Sequence, residues 1–267
     1  MCGRLACGLE PKEVINCCCY KNPENDQTQK PVWKDVNNSG KKFSPSYNIC
    51  PTDLAPVLMS GNHFNIDCRV IVPTIFGLIP SWSKADVPSK YSTINCRIEN
   101  IKTSKLYWPL LEKGQRCIVI CNGFFEWKNE GKQKKKPYFI HAPQPDNVLI
   151  DDPSTWNMGD DFQNEKTFKP LKLAGLFERH NQNPEDEIIS FTIITKEAST
   201  KLSWLHMRMP AFIETDEQLH IWLDNKNFDS NQALQCLSHF EKVIWYSVSS
   251  TVNFTSNKDL TCIKQKG

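Results

Sequence analysis

The stretch "RCIVICNGFFEW", Arg116 to Trp127, sets the class of the fold. Cys117–Cys121 is an unbroken apolar run and reads as a buried strand. Asn122-Gly123 then carries the signal of a tight hairpin turn, and Phe124–Trp127 reads as the returning strand. "KPYFIHA" (Lys136–Ala142) continues the same meander downstream. Working outward, Ala55–Ser60, Arg69–Ile79, Leu171–Phe177, Ile188–Thr195 and Val243–Val248 all have strand character. The helical stretches are Pro11–Cys19, Glu99–Lys105, Asp216–Leu223 and Asn231–Phe240. Pro11 sits in a first turn, where its missing N–H costs nothing. The polar segments Lys21–Lys42 and Pro143–Thr167 read as surface loops. Strands recur from one end to the other, with no repeat and no linker. The expected architecture is a single α+β domain over residues 1–267, with a mostly antiparallel, barrel-like β-sheet and peripheral helices.

Composition narrows the functional classes. With 39% hydrophobic and 23% charged residues, the sequence is that of a globular protein. A net charge of +2 means that nucleic-acid binding would need a local basic face. The densest apolar run, Ile71–Trp82, is interrupted by Pro73, Gly77 and Pro80, so no membrane span is expected. No apolar signal core precedes Glu10, and an intracellular protein is expected. Twelve cysteines are then thiols rather than a disulfide framework. None is spaced as a Cys-x-x-Cys pair, so no structural metal is expected. No cofactor motif is present either.

Four stretches carry groups suited to chemistry. The chain begins Met1-Cys2-Gly3-Arg4, and removal of Met1 leaves Cys2 with a free α-amine beside its thiol. Both groups are partly nucleophilic near neutral pH. The pair suits acyl transfer by the thiol, or capture of an aldehyde as a five-membered thiazolidine. Asn95 and Arg97 in "TINCRIEN" share one face if that stretch is extended. Glu126 stands among Phe124, Phe125 and Trp127, a setting that suits a proton shuttle. His206 in "WLHMRMP" is followed by Arg208, which can hold an anion beside it. Pro80 in "GLIPSW" implies a bend that leaves Trp82 near a loop. "KQKKK" (Lys132–Lys136) reads as a charged hairpin tip.

Taken together, these stretches resemble the SOS response-associated peptidase (SRAP) family. The resemblance runs in order through "MCGR", "SYN-x-x-P" (Ser46–Pro51), "GLIPSW", "NCR-x-E" (Asn95–Glu99), "NGFFEW", "PYFI", "AGLF" (Ala174–Phe177), "TIIT" (Thr192–Thr195), "H-x-RMP" and "VSSTVN" (Val248–Asn253). It implies a covalent sensor of abasic sites in single-stranded DNA that shields the lesion during replication-coupled repair, after self-processing removes Met1. It further implies that Cys2 is the nucleophile and that Glu126 handles protons at its amine. By the same resemblance His206 is the acid/base for sugar opening and crosslink reversal, and Asn95 positions amine and sugar. Arg4, Arg97 and Arg208 would hold phosphates, and Trp82 would stack beside a base. The implied partners are single-stranded DNA and replication-fork proteins reached through a tail outside this sequence. A nuclear monomer without cofactor is the resulting expectation. Two positions depart from the family pattern: Ile75-Phe76 stands where Arg-Trp is usual, and Asn122 where Asp is usual.

Two rival readings fit fewer residues. An N-terminal-nucleophile amidotransferase also starts Cys-Gly, but Arg4 and "H-x-RMP" suit it poorly. A non-catalytic binder of modified DNA would use the same basic residues without the chemistry of Cys2.

Overall fold

Val70–Phe76, Arg116–Cys121 and Ile188–Glu197 are rich in side chains that pack well on a pleated surface, and each forms a strand buried along nearly its whole length. The structure is a computed structural model that describes residues 3–22, 25–83, 93–131, 135–156, 167–180, 185–237 and 242–266. Its first strands are β1 (Leu5–Cys7), β2 (Tyr20–Lys21), β3 (Thr28–Gln29), β4 (Val32–Trp33) and β5 (Ser46–Ile49). There follow β6 (Leu54–Met59), β7 (Val70–Phe76), β8 (Asn95–Arg97), β9 (Arg116–Cys121) and β10 (Gly123–Asn129). The last are β11 (Lys135–His141), β12 (Leu171–His180), β13 (Ile188–Glu197), β14 (Arg208–Pro210) and β15 (Ile244–Ser247). Among the described residues four short α-helices lie outside them: α1 (Pro11–Cys17), α2 (Trp108–Glu112), α3 (Asp216–Leu223) and α4 (Ser230–Gln235).

β13, β12, β9, β6 and β7 are hydrogen-bonded in that order. β7 then returns to β13 in parallel, through Ile75 opposite Ser190 and Phe76 opposite Phe191. The ring closes into a five-stranded barrel. Phe76 and Phe191 stack at its seam, with ring centroids 5.1 Å apart and planes nearly parallel. β8 and β14 extend from the far end of β13, meeting at Thr195, which faces Arg97 on one side and Pro210 on the other. A second sheet runs β15–β11–β10–β1–β5, antiparallel at every pairing. The mostly antiparallel, barrel-like sheet expected from the strand pattern is therefore present.

The hairpin expected at Asn122-Gly123 is not. β9 belongs to the barrel, β10 to the second sheet, and the chain crosses between them at Asn122. Asn122 is fully buried. Its amide donates to the Ala6 carbonyl (2.7 Å), and its Oδ1 accepts from the Gly8 amide (2.6 Å). The backbone thus continues straight into pairing with β1 instead of turning back. Gly123 is required by close approach: a Cβ there would lie 2.3 Å from the Ile140 carbonyl oxygen and 2.5 Å from the Phe139 ring.

Two other expectations change. Lys21–Lys42 is not simply a loop, since β4 pairs with β7 and Asn38, at φ +46°, is buried between β7 and β13. Its Nδ2 donates to the Pro73 carbonyl and its Oδ1 accepts from the Ile189 amide. The Glu99–Lys105 stretch is a 3₁₀ helix, Ile98–Thr103. No helix among the described residues is long and apolar enough to cross a membrane.

Gly123→Ala tests the crossing. Forcing a methyl against a backbone carbonyl is expected to cost about 3 kcal/mol, read as a lower urea midpoint with an unchanged slope. An unshifted midpoint would show that β10 and β11 can separate there freely.

Candidate active site

β10 positions the central carboxylate. Its register against β11 sets Glu126 opposite Tyr138 and Phe124 opposite Ile140. Side chains alternate along a strand, so Phe124, Glu126 and Lys128 share one face. Glu126 is buried, at 5% exposure, on this face. It lines a small cavity together with Phe124, Ile140, Leu202, Leu205, His206, Arg208 and Met209.

His206 reaches the cavity from the turn that precedes β14. Leu202 and Leu205 anchor that turn in the core, and the His206 amide donates to the Leu202 carbonyl (3.1 Å). The ring is oriented by the backbone of Arg208. The Arg208 amide donates to Nδ1 (2.9 Å), and the Arg208 carbonyl oxygen lies 3.2 Å from the same nitrogen. A neutral ring can accept from the amide at Nδ1, which leaves its proton on Nε2; an imidazolium can donate from Nδ1 to the carbonyl. The N–H and C=O of one residue, from successive peptide units, can therefore meet either protonation state of the ring.

Arg208 itself is committed to Glu99. Nη1 and Nη2 each donate to a Glu99 carboxylate oxygen at 2.8 Å, and Nη2 also donates to the Thr195 carbonyl. This bidentate pair bridges the end of β13, tying the segment after β8 to β14. Asn95 and Arg97 stand at alternate positions of β8, the first half-buried and the second exposed, with Cys96 buried between them.

Trp82 is 69% exposed at the end of a rigid bend. Gly77 takes φ +112°, a conformation few other residues tolerate. Ile79 is held from both sides, its amide donating to Ser190 Oγ (2.8 Å) and its carbonyl meeting His180 Nε2 (2.7 Å). Thr93 O–H donates to the Leu78 carbonyl (2.6 Å), which fixes the bend to the segment entering β8. Trp82 follows this anchored bend, and Asn95 follows Thr93 into β8. Ile75 and Phe76, where the family pattern has Arg-Trp, are buried in the barrel wall.

Arg4 is placed differently from the others. Its Nη1 donates to Asn48 Oδ1 and to the Val252 carbonyl, both at 2.8 Å. The guanidinium also lies 5.5 Å from the Trp127 ring, on the opposite side of β10 from Glu126. Asn48, within "SYN-x-x-P", carries no signal of a role in the sequence. It is fully buried, and its Nδ2 donates to the carbonyls of Val252, Phe254 and Asn257. Trp127 Nε1 donates to Asn253 Oδ1 (2.7 Å). Together these bonds clamp the start of the chain to the "VSSTVN" loop. Glu99 was likewise visible only as the last letter of "NCR-x-E".

Cys2 and Lys132–Gln133–Lys134 lie outside the described residues. Gly3 and Arg4 do not, and they fix how the chain enters. Leu5 faces Phe124 and Ala6 faces Gly123, while the Phe125 amide donates to the Arg4 carbonyl (3.0 Å). Traced backwards, β1 therefore runs toward Glu126. Buried thiols elsewhere are poor nucleophiles: burial pushes Cys7 and Cys96 up to about 12, and Cys117 well above the ordinary thiol range. Among the described residues no cluster of His, Cys, Asp or Glu is arranged to hold a metal ion.

The family model for SOS response associated peptidase (SRAP) matches residues 1–255. The chain belongs to the SRAP family. It is 35% identical to Abasic site processing protein HMCES of Xenopus tropicalis, over 98% of this chain and 78% of that protein. It is 28% identical to Abasic site processing protein YoqW of Bacillus subtilis, over 81% of this chain and 84% of that protein. A solved structure from Bacteroides thetaiotaomicron shares the fold at a TM-score of 0.72 and 20% identity, covering 99% of this chain and all of that one.

The pair that ties this SRAP site together should be visible in pH dependence. Hydrogen bonds from Arg208, with the charge of Arg97 adding, hold the Glu99 carboxyl below its ordinary range. Folding then favours the ionised form, so the stabilisation is present above the unfolded pKa of about 4.3 and is lost as pH falls through the lower folded value. Wild type should be more stable than Glu99→Gln near neutral pH, with the gap closing below about pH 4.3. A gap that stays constant in urea titrations down through that range would show that the charge of Glu99 is immaterial.

Proposed function

We propose that this chain, acting as a single domain, captures abasic sites in single-stranded DNA through the α-amine and thiol of Cys2. The observation that carries the reading is the pairing of β1 with β10. It brings the first described residues alongside the buried Glu126, on a strand face that shares a cavity with His206. Cys2 is one peptide bond beyond Gly3. A pair of nucleophiles at the very start of the chain is thus joined to a strand that leads directly to an acid/base pair. The names of relatives from a vertebrate and a bacterium support abasic sites as the substrate.

The chemistry balances without a cofactor. Opening the sugar ring exposes an aldehyde, which the Cys2 amine attacks to give a carbinolamine. Loss of water gives the imine, and the thiol adds to the imine carbon while its proton passes to nitrogen, closing a thiazolidine. Glu126, beside the entering chain, serves as base at the amine and as acid toward the departing hydroxyl. His206 protonates the sugar ring oxygen and, by microscopic reversibility, assists reopening of the crosslink. Asn95 positions amine and sugar by hydrogen bonds. Exposed Arg97 meets phosphate first, while Arg208 must share its charge with Glu99. Trp82 stacks beside a neighbouring base. Arg4 anchors the strand that delivers Cys2, with any phosphate contact added to that work. Removal of Met1 by the protein itself is part of the same proposal, because a retained Met1 locks the amine into a peptide bond. A DNA substrate would place the protein in the nucleus of a eukaryotic cell.

Cys2→Ala should abolish a heat-stable crosslink to abasic single strands while leaving binding of intact strands largely unchanged. Cys2→Ser should form an imine that borohydride traps, but no durable adduct. A serine variant whose adduct is as stable as that of wild type would sink ring closure.

The two proton-handling residues separate by kinetics. Glu126→Gln should slow crosslink formation and shift its pH profile. His206→Ala should slow both formation on closed-ring abasic DNA and release into excess unlabelled abasic strand. Normal release in the His206 variant, with slow release in the Glu126 variant, would reverse the assignment.

A further inference from the structure

Beyond the acid/base pair, the same sheet face continues into an aromatic and basic surface that the proposed chemistry does not use. Lys128 follows Glu126 on the same side of β10 and stands opposite Lys136 of β11. Tyr138, opposite Glu126, and Trp245 of β15 lie on that side too. Trp204, two residues before His206, covers them. Its ring meets Tyr138 edge-on at 5.1 Å and lies 6.0 Å from Trp245. The Lys128 ammonium lies 4.8 Å from the Trp204 ring and the Lys136 ammonium 5.5 Å from that of Tyr138. Even so, Trp204 remains 38% exposed.

A lone exposed ring would mean little, but Trp204 is part of a contiguous aromatic cluster rimmed by lysines, the kind of patch that marks an interaction site. The surroundings define the partner's chemistry. Stacked aromatic rings interleaved with ammonium groups suit a chain that alternates flat apolar faces with negative charges, which describes a single nucleic-acid strand. Spacing agrees: Lys128 lies two residues beyond Glu126, or roughly 6.8 Å along the strand, comparable with one step between phosphates in an extended strand. We propose that Trp204, Lys128 and Lys136 form a stacking and phosphate-binding subsite for the nucleotide next to the reacting sugar. A base stacks on the exposed part of Trp204, and its phosphate falls to the two lysines. The identity of that sugar rests on the abasic-site reading above; the subsite itself accepts any single strand.

The test therefore uses both an intact single strand, roughly 15 nucleotides long, and the same strand with a central abasic site. Fluorescence anisotropy on the intact strand reads the subsite without the covalent step. Trp204→Ala should weaken binding roughly ten-fold or more, and Trp204→Phe should restore most of it. Lys128→Gln combined with Lys136→Gln keeps the rings and should flatten the salt dependence by about 0.7 per lysine in log–log slope. Wild-type affinity in Trp204→Ala together with an unchanged salt slope in the double lysine variant would overturn the subsite. Crosslinking of the abasic strand by wild type reads the other reading separately. Intact-strand binding that depends on Trp204, with no crosslink formed, would uphold the subsite and sink covalent capture.

Discussion

The pairing of β1 with β10 is the constraint on which the rest of the site depends. Chain termini are usually the least ordered part of a domain. Here the residues just after the start form an interior strand, held between β10 and β5, with Leu5, Ala6 and Cys7 fully buried. Reactive groups can be carried with precision only by a rigid element, and a strand hydrogen-bonded on both edges is such an element. Asn122 and Asn48 supply the bonds that a three-residue strand cannot make for itself. Asn122 binds at Ala6 and Gly8; Asn48 binds Arg4 and three carbonyls of the C-terminal loop. Residues far apart in sequence are thereby used to order the first few.

Electrostatics in the site follows from where its charges are paired. Arg208 shares its guanidinium with Glu99 in a bidentate bond, and its backbone N–H reaches His206. The ion pair locks β14 to the segment after β8, and this in turn fixes the Arg208 backbone that orients the imidazole. A residue expected to be a phosphate clamp is thus a brace for the imidazole beside it. On the proposed reading a phosphate at Arg208 would have to compete with a carboxylate already in place.

Much of this was legible in the sequence because strands announce themselves by composition. β7, β9 and β13 are almost wholly buried, so their apolar runs were unmistakable, and the barrel class followed. What those runs do not encode is which strand each one meets. Asn122-Gly123 carries the local signal of a hairpin, but Gly123 is there for the approach of the Ile140 carbonyl and Phe139. The same dipeptide serves a turn or a tight crossing, and only the long-range bond to β1 distinguishes them. Glu126, His206, Asn95 and Arg97 stand out in the sequence because they are polar residues next to apolar runs. Asn48 and Glu99 do not stand out as individuals because their partners are distant in sequence, 44 to 209 positions for Asn48 and 109 for Glu99. Arg4 was seen as a charge, whereas its bonds to Asn48 and Val252 make it an anchor.

The two departures from the family pattern can be read in the same physical terms. Asn122 keeps the side-chain oxygen that accepts from Gly8, so the contact that guides the crossing survives the change from Asp. Ile75 and Phe76 are a larger change, because Arg-Trp would bring a cation and a broad ring to this position. In this chain both are sealed in the barrel wall, with Phe76 stacked on Phe191 where β7 meets β13. The seam is a parallel pairing of only two residue pairs, and dense aromatic packing there offsets the few hydrogen bonds that close it. A strand-facing cation and ring given up on β7 must then be supplied elsewhere if a nucleic-acid strand is to be gripped. The exposed ring of Trp204 with the ammonium of Lys128 over it offers that combination on the other side of His206. On the proposed reading, the grip on the strand would then lie on the face that carries Glu126.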